Sequence, residues 1–347
     1  MAGKQTAVLV AGSWGSALAG VLADNGHRVL LWTRNAEQAE EINRSGNNTR
    51  YLPGIRLPER IRATTSMAEA LSEAEAVILA APSSAMREIA AMAAKHIRND
   101  ALLLHATKGF EADSLKRMTE VIGEEMPGFR SRIVVLSGPS HAEEVIRRCP
   151  TTVVVASESA DAAEAAQDLL INSYFRVYTN PDVVGVELGG ALKNIIALGA
   201  GLSDGLGFGD NAKAALLTRG LVEIARLGTA MGGHPLTFAG LSGVGDLVVT
   251  CTSKHSRNWR AGYLLGQGRT LEEVLRETGM VVEGVRTTKA AYALASRYGV
   301  EMPITVQLYE VLFDAKPPKL AVEMLMGRDR THEMEDIVRE IRGGGME

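Results

Sequence analysis

The stretch Thr6-Ala7-Val8-Leu9-Val10-Ala11-Gly12-Ser13-Trp14-Gly15 decides how the chain is read. Its first five residues are aliphatic or β-branched at consecutive positions, the pattern of a strand covered on both faces. Glycines at 12 and 15 then break the strand, and an apolar helical run over residues 17–22 precedes a second strand around Val29. A glycine-punctuated turn between strand and helix puts backbone N–H groups and the positive end of a helix dipole where a dinucleotide pyrophosphate can rest. Gly12, Ser13, Trp14 and Gly15 are therefore candidate cofactor contacts. The fingerprint is incomplete, because Val10 stands where GxGxxG has its first glycine, and a β-branched residue does not readily take the turn conformations open to glycine. A strand-to-helix turn with no ligand fits the same residues.

Outward from this turn, short apolar runs at residues 6–10, 28–32, 76–80, 102–105, 133–136, 152–156 and 175–178 alternate with helical stretches. That is the rhythm of βαβ units, and it predicts a parallel, doubly wound α/β sheet of Rossmann type over residues 1–180. After Pro181 the recognisable segments, residues 184–202, 212–231, 270–278 and 287–298, are long and helical, so residues 181–347 are expected to form a mostly α-helical domain. Five glycines among the eleven residues 199–209 read as an interruption between two helices, with Asp210-Asn211 supplying caps for the second.

Bulk properties narrow the function. The 347 residues are 46% hydrophobic and 22% charged, enough for two cores. A net charge of -4, from 37 basic and 41 acidic side chains, offers no cationic excess for nucleic acid or an anionic membrane. Two cysteines about a hundred positions apart, without CxxC spacing, predict neither disulfide nor zinc site, and the seven histidines show no metal-ligand spacing. No signal peptide and no run of about 18 apolar residues is found, which makes a cytoplasmic location the expectation.

Single residues carry the chemistry. Where an acid commonly ends the second strand and bonds the cofactor ribose, this chain has Thr33-Arg34; an arginine there suits a 2'-phosphate, so NADP is expected beside NAD. An exposed, solvated arginine is the plainer alternative. Lys193 lies in a helical segment whose same-face neighbours are Gly189, Gly190, Ile196 and Ala197. Small neighbours let a ligand approach and let the ammonium be partly desolvated, lowering its pKa toward neutrality. A structural lysine with its head reaching water fits equally well. Asp246, inside the apolar run of residues 243–249, needs a partner if buried, and Lys193 is the candidate; an ordinary capping or hydrogen-bonded aspartate is the alternative. Ser256-Arg257-Asn258 open another helical run, a natural phosphate seat or simply a cap with an exposed arginine. Lys108, in Thr107-Lys108-Gly109, and Ser140, in Ser137-Gly138-Pro139-Ser140-His141-Ala142, follow strands at the carboxyl edge where open α/β sheets bind ligands. His141 reads as a helix-start residue facing water, and no histidine is given a catalytic role.

Taken in order, Gly12-Ser13-Trp14-Gly15, Tyr51-Leu52-Pro53-Gly54, Thr107-Lys108-Gly109, Ser137-Gly138-Pro139-Ser140, residues 187–194, 207–211 and 240–251, Ser256-Arg257-Asn258 and Val282-Glu283-Gly284 resemble the bacterial NAD(P)-dependent glycerol-3-phosphate dehydrogenases over nearly the whole chain. The resemblance implies Ser13, Trp14, Arg34 and Tyr51 on the dinucleotide, with Lys108 near both ligands. It implies Gly138 and Ser140 on substrate, Ala142 on cofactor, and Lys193 as the proton-transfer residue. Asp246, Ser256, Arg257 and Asn258 match substrate positions, with Arg257, Val281 and Glu283 also touching cofactor. It further implies a small phosphorylated substrate, a product that feeds phospholipid synthesis, and a homodimer. The departures are Val10, for glycine, and His141, where an aromatic such as phenylalanine is common. Enzymes of the same architecture that act on carboxylates, the β-hydroxyacid dehydrogenases and ketopantoate reductases, are the rival reading, and a non-catalytic dinucleotide sensor is the reading that Val10 motivates.

Overall fold

The computed structural model describes residues 3–278, 282–330 and 332–333. Among them, β1 (Gln5–Leu9), β2 (Arg28–Trp32), β3 (Ile61–Thr64), β4 (Ala76–Leu79), β5 (Leu102–His105), β6 (Val134–Ser137), β7 (Thr151–Ala156) and β8 (Phe175–Asn180) form one sheet in the order β3-β2-β1-β4-β5-β6-β7-β8. The strand order reverses between β1 and β4, and there the carboxyl ends of the strands leave a crevice. The helices packed on this sheet are α1 (Ser13–Asp24), α2 (Ala36–Ser45), α3 (Met67–Leu71), α4 (Met86–Ala93), α5 (Met118–Glu125), α6 (Ala142–Val145) and α7 (Ala160–Leu170). Consecutive strand residues feed opposite cores: Val8, Ile78 and Leu104 join the cluster under α1 and α7, whereas Leu9, Leu79 and Leu103 join the one under α4 and α5. The unbroken apolar runs are thereby explained.

Two expectations need correction. The sheet is not wholly parallel, because β7 runs antiparallel to β6, with Leu136 opposite Val155. Parallel and antiparallel neighbours look alike in sequence when both faces are covered. Strand β3 was not expected; it is four residues long and carries Arg62, which leaves too little periodicity to read.

The helical half comprises α8 (Val183–Gly205), α9 (Asp210–Ala230), α10 (Pro235–Phe238), α11 (Asp246–Thr252), α12 (Arg257–Gly266), α13 (Leu271–Thr278), α14 (Glu283–Tyr298), α15 (Pro303–Phe313) and α16 (Pro318–Met326). Its centre is α8, long and apolar enough by composition to cross a bilayer, yet with 94% of that apolar window buried inside the protein. The chain breaks within the glycine-rich stretch as expected, α8 ending at Gly205 and α9 starting at Asp210 with Gly207 at φ +80° between them, while Gly199, Gly201 and Gly205 lie inside α8 itself. A Cβ at Gly201 would lie 1.9 Å from the Trp259 carbonyl oxygen, and one at Gly262 would lie 1.9 Å from that of Leu198. Gly205 and Gly266 repeat this contact one turn on, so α8 and α12 touch backbone to backbone. Glycine here serves close approach, and the cost it imposes on a helix, about 1 kcal/mol each, is offset by that packing. The N-cap of α9 is Gly209, and Asp210 is the first residue inside the helix rather than its cap.

Candidate active site

At the end of β1 the chain turns sharply. The Val10 N–H bonds Trp32 O at 3.0 Å, and Val10 itself has φ +82°, a left-handed conformation that is costly for a β-branched residue. The turn is tight, since a Cβ at Gly15 would lie 2.1 Å from Val10 O. Gly12 is the N-cap of α1 and supplies no side-chain acceptor, while a Cβ built on it would meet nothing within 4 Å. The first-turn N–H groups therefore open onto the crevice, which is the geometry a pyrophosphate needs. The Ser13 hydroxyl donates to Tyr51 O at 2.9 Å, tying the turn to the loop after α2. Trp14 packs against the sheet core under α1. Sequence reasoning missed the scaffold beneath this turn. Fully buried Asn48 donates to Ala11 O (3.0 Å) and to Ser16 Oγ (2.8 Å), and Gln38 donates to Ala11 O (2.7 Å). Arg34 follows β2 and pairs with Glu88 at 2.8 Å; both side chains are more than half exposed, so the pair is weak and its guanidinium remains available to an anion.

The reacting end lies where the two halves meet. Lys193 is buried on α8, and its Nζ donates to Asp246 Oδ1 at 2.7 Å and to the Thr250 hydroxyl. Lys108, in the loop after β5, donates to the other Asp246 oxygen at 2.6 Å and to Gly138 O at 2.9 Å. One buried carboxylate thus holds two ammonium groups, one from each half. Burial pushes the Lys193 ammonium down to about 8, Asp246 pulling it up and Lys108 reinforcing the fall. Burial would raise the Asp246 carboxyl, but the charges and hydrogen bonds of Lys108 and Lys193 outweigh it and hold the group ionised, below its ordinary value. The pairing expected of Asp246 is present. Thr250, one helical turn beyond Asp246 on α11, was not anticipated, although the i+4 spacing could have pointed to it.

Around this core the other candidates fall unevenly. Gly138 has φ +117°, and the Ser140 hydroxyl donates to Gly138 O at 2.8 Å, shaping the loop that Lys108 also grips. Ala142 is the first residue of α6. His141 is half-buried rather than facing water; its Nε2 lies 3.4 Å from Val249 O, and its ring stands 6.0 Å from that of His255. Ser256 caps α12 by accepting from Trp259 N at 3.2 Å, and Arg257 is exposed beside it. Asn258 is largely spoken for within the protein. It donates to Asn194 Oδ1 and accepts from Gly284 N, both at 2.8 Å, linking α8, α12 and α14. Glu283 opens α14 and meets Ser83 in the loop after β4. Val281 lies outside the described residues. A second buried carboxylate, Glu187, lies on α8 ahead of Lys193 and accepts from Arg117 Nη1 (2.5 Å), Thr119 N (2.8 Å) and the Thr119 hydroxyl (2.6 Å). Against its burial, His105, Arg117 and Thr119 bring this acid to about 2.

Comparison with known proteins identifies the family. The family model for the NAD-dependent glycerol-3-phosphate dehydrogenase N-terminus matches residues 5–163, and the model for its C-terminus matches residues 182–323. Glycerol-3-phosphate dehydrogenase (NAD(P)+) of Bacillus velezensis is 60% identical over 336 residues, covering 96% of this chain and 97% of that protein. The Bacillus cereus protein of the same name is 62% identical over 331 residues, covering 95% and 97%. The crystal structure of glycerol-3-phosphate dehydrogenase from Coxiella burnetii superposes with a TM-score of 0.89 at 38% identity, over 94% of this chain and 99% of that one. With both halves matched in order, the chain belongs to the NAD-dependent glycerol-3-phosphate dehydrogenase family.

Proposed function

We propose that this protein interconverts dihydroxyacetone phosphate and sn-glycerol 3-phosphate with NADPH or NADH, supplying the glycerol backbone of phospholipids. The observation that carries the reading is the Asp246 carboxylate holding Lys193 and Lys108 at the seam between the sheet and the helical half. The crevice between β1 and β4 fits a dinucleotide, because the first turn of α1 is open above Gly12, and Ser13 with Tyr51 walls one side. When bound there, the cofactor supplies the hydride that reaches the substrate carbonyl carbon.

The protein's own part is binding, orientation and one proton. Lys193 hydrogen-bonds the carbonyl oxygen and gives its proton to the alkoxide that develops, then recovers one from water. An ammonium brought to about 8 is mostly charged at pH 7 yet parts readily with its proton. Asp246 fixes the direction of that ammonium, and Lys108 adds positive charge beside the developing oxyanion. Ser256 and Arg257, at the start of α12, hold the substrate phosphate so that binding energy far from the reaction aligns the carbonyl. Gly138 and Ser140 shape the same wall, while Asn258 works through the α8–α12–α14 joint it ties together.

Arg34, once freed from Glu88, suits a 2'-phosphate, which favours NADPH. The same proposal divides the chain into a dinucleotide-binding domain of residues 1–180 and a catalytic domain of residues 181–347, supported by the change from strand to helix between Asn180 and Val183. A cytoplasmic site of action belongs with it, since Cys149 and Cys251 both carry free thiols. The test is NADPH and NADH oxidation by the purified protein with dihydroxyacetone phosphate. Consumption dependent on that substrate is expected, and turnover of an unphosphorylated 2-oxoacid in its place refutes the substrate reading.

A further inference from the structure

Two glutamates of the helical half are held by the same device. At Glu187, Thr119 offers its backbone N–H to one carboxylate oxygen and its hydroxyl to the other, at 2.8 and 2.6 Å. At Glu283, Ser83 does likewise, its N–H reaching Oε1 at 3.3 Å and its hydroxyl donating to Oε2 at 2.9 Å. Their surroundings differ. Glu187 is sealed in and neutralised by Arg117, whereas Glu283 keeps part of its surface open and stands over two edge loops of the sheet. Ser83 is in the loop after β4, and Gly109 in the loop after β5; a Cβ on Gly109 would lie 3.1 Å from Glu283 Oε2 and 3.0 Å from the Ser83 Cβ. The absence of a side chain at Gly109, next to Lys108, is what lets the carboxylate come down onto the sheet edge.

We propose that Ser83 is a positioning residue: its N–H and hydroxyl hold the Glu283 carboxylate over the crevice, so that the helical half presents this acid to the nicotinamide end of the dinucleotide. The placement follows from the fold. With the adenosine end toward β2, where Arg34 and Tyr51 lie, a dinucleotide crossing the β1/β4 switch point carries its other end toward the loops after β4 and β5. A carboxylate has about four lone-pair positions, and Ser83 uses one on each oxygen, leaving the others to a ligand. Ser83 is itself buried, so its hydroxyl is not free to wander to water. Burial pushes the Glu283 carboxyl up, and the two Ser83 bonds oppose that rise, so the same contact also helps keep the acid ionised. The inference rests on the dinucleotide reading above, and not on which ketone is reduced.

The experiment is NADPH titration of the full chain by fluorescence, with steady-state kinetics on the same samples, for the parent, Ser83→Ala, Ser83→Thr, Glu283→Gln and the Ser83→Ala/Glu283→Gln pair. One hydrogen bond to a charged group is lost in Ser83→Ala, so NADPH binding is expected to weaken about tenfold while kcat at saturating NADPH falls no more than about twofold. Threonine keeps the hydroxyl and is expected to stay near parental affinity. In the pair, Ser83→Ala should add less than about twofold to the effect of Glu283→Gln, because both remove one contact. Parental affinity in Ser83→Ala, or effects that multiply in the pair, overturns the proposal. If Ser83→Ala does not fold, Glu283→Gln decides, its parental affinity being the overturning result. A parent that binds NADPH but leaves dihydroxyacetone phosphate untouched would refute the substrate reading alone.

Discussion

Lys108 follows the fifth strand of the sheet and Asp246 opens a helix 138 residues later, yet Nζ and Oδ2 lie 2.6 Å apart. The other Asp246 oxygen belongs to Lys193, so the carboxylate is shared between a lysine of the sheet half and one of the helical half. Charge balance at the centre therefore depends on both halves being in contact. Removing the general acid should cost about 10²- to 10⁴-fold in rate. Lys193→Ala is expected to lower kcat by that amount while the NADPH dissociation constant, measured by fluorescence, moves less than about threefold. Activity within a few-fold of the parent would remove Lys193 from the chemistry.

The reductive rate should depend on pH through the same group. Lys193 must carry its proton to act, and burial brings it to about 8, so kcat for ketone reduction is expected to fall as pH rises through about 8. Lys108 pushes Lys193 in the same downward direction by charge repulsion. Replacing it by an uncharged residue, Lys108→Met, should let the Lys193 value rise and move the descending limb to higher pH, at saturating substrate. A limb that shifts to lower pH contradicts the assigned sign.

Val10 offers a test of stored strain. A non-glycine residue at φ +82° costs about 1–2 kcal/mol, and more where the side chain branches at Cβ. The half-buried valine recovers part of this by packing against the cluster that holds Leu9 and Trp32. Val10→Gly is expected to gain about 1 kcal/mol, seen as a higher urea midpoint at unchanged slope. A loss of stability would show that the packing outweighs the strain.

Glu223 should make stability fall toward neutral pH. It is buried on α9 and caps α15, accepting from Ile304 N (2.5 Å), Thr305 N (3.1 Å) and the Thr305 hydroxyl (3.0 Å). Burial raises its carboxyl to about 7, the hydrogen bonds from Ile304 and Thr305 only partly opposing the shift. A carboxyl whose folded value lies above its unfolded value binds its proton more tightly when folded. Its contribution is complete below the unfolded value of about 4.5 and is lost as pH rises through about 7. Urea unfolding of Glu223→Gln between pH 4.5 and 7.5 should lack this decline, and a slope as steep as the parent's counts against the assignment.

Much of the sheet was legible because strands covered on both faces write themselves as unbroken aliphatic runs, as in Val77-Ile78-Leu79. The direction of β7 was not, since burial sets the composition and direction leaves it unchanged. The glycines of residues 199–209 marked the break between α8 and α9, but not their second use: a glycine that opens a turn and one that admits another backbone are the same letter, and only Gly262 and Gly266, some sixty residues away, show that Gly201 and Gly205 serve close packing. At the centre, the burial cost of a lone Asp246 pointed to Lys193, but that Lys108 takes the second oxygen could not be seen from spacing. Asn48, Gln38 and Ser83 went unnoticed because their work is done on backbone or on another side chain, and no local pattern records it.

The reversal at β7 also decides from which side the reactive lysine arrives. Because β8 runs with β7 and against β6, the chain leaves the sheet at Asn180 beside the amino ends of the other strands. The helix that follows must then travel back along the sheet, its Val186 in the same cluster as Val135 and its Gly190 near the Ser137 hydroxyl. At 1.5 Å per residue, the ten residues from Val183 to Lys193 rise about 15 Å, roughly the height of a five-residue strand. Had that pair of strands followed their neighbours, the same helix would have set out from the ligand edge and carried its ammonium away from it.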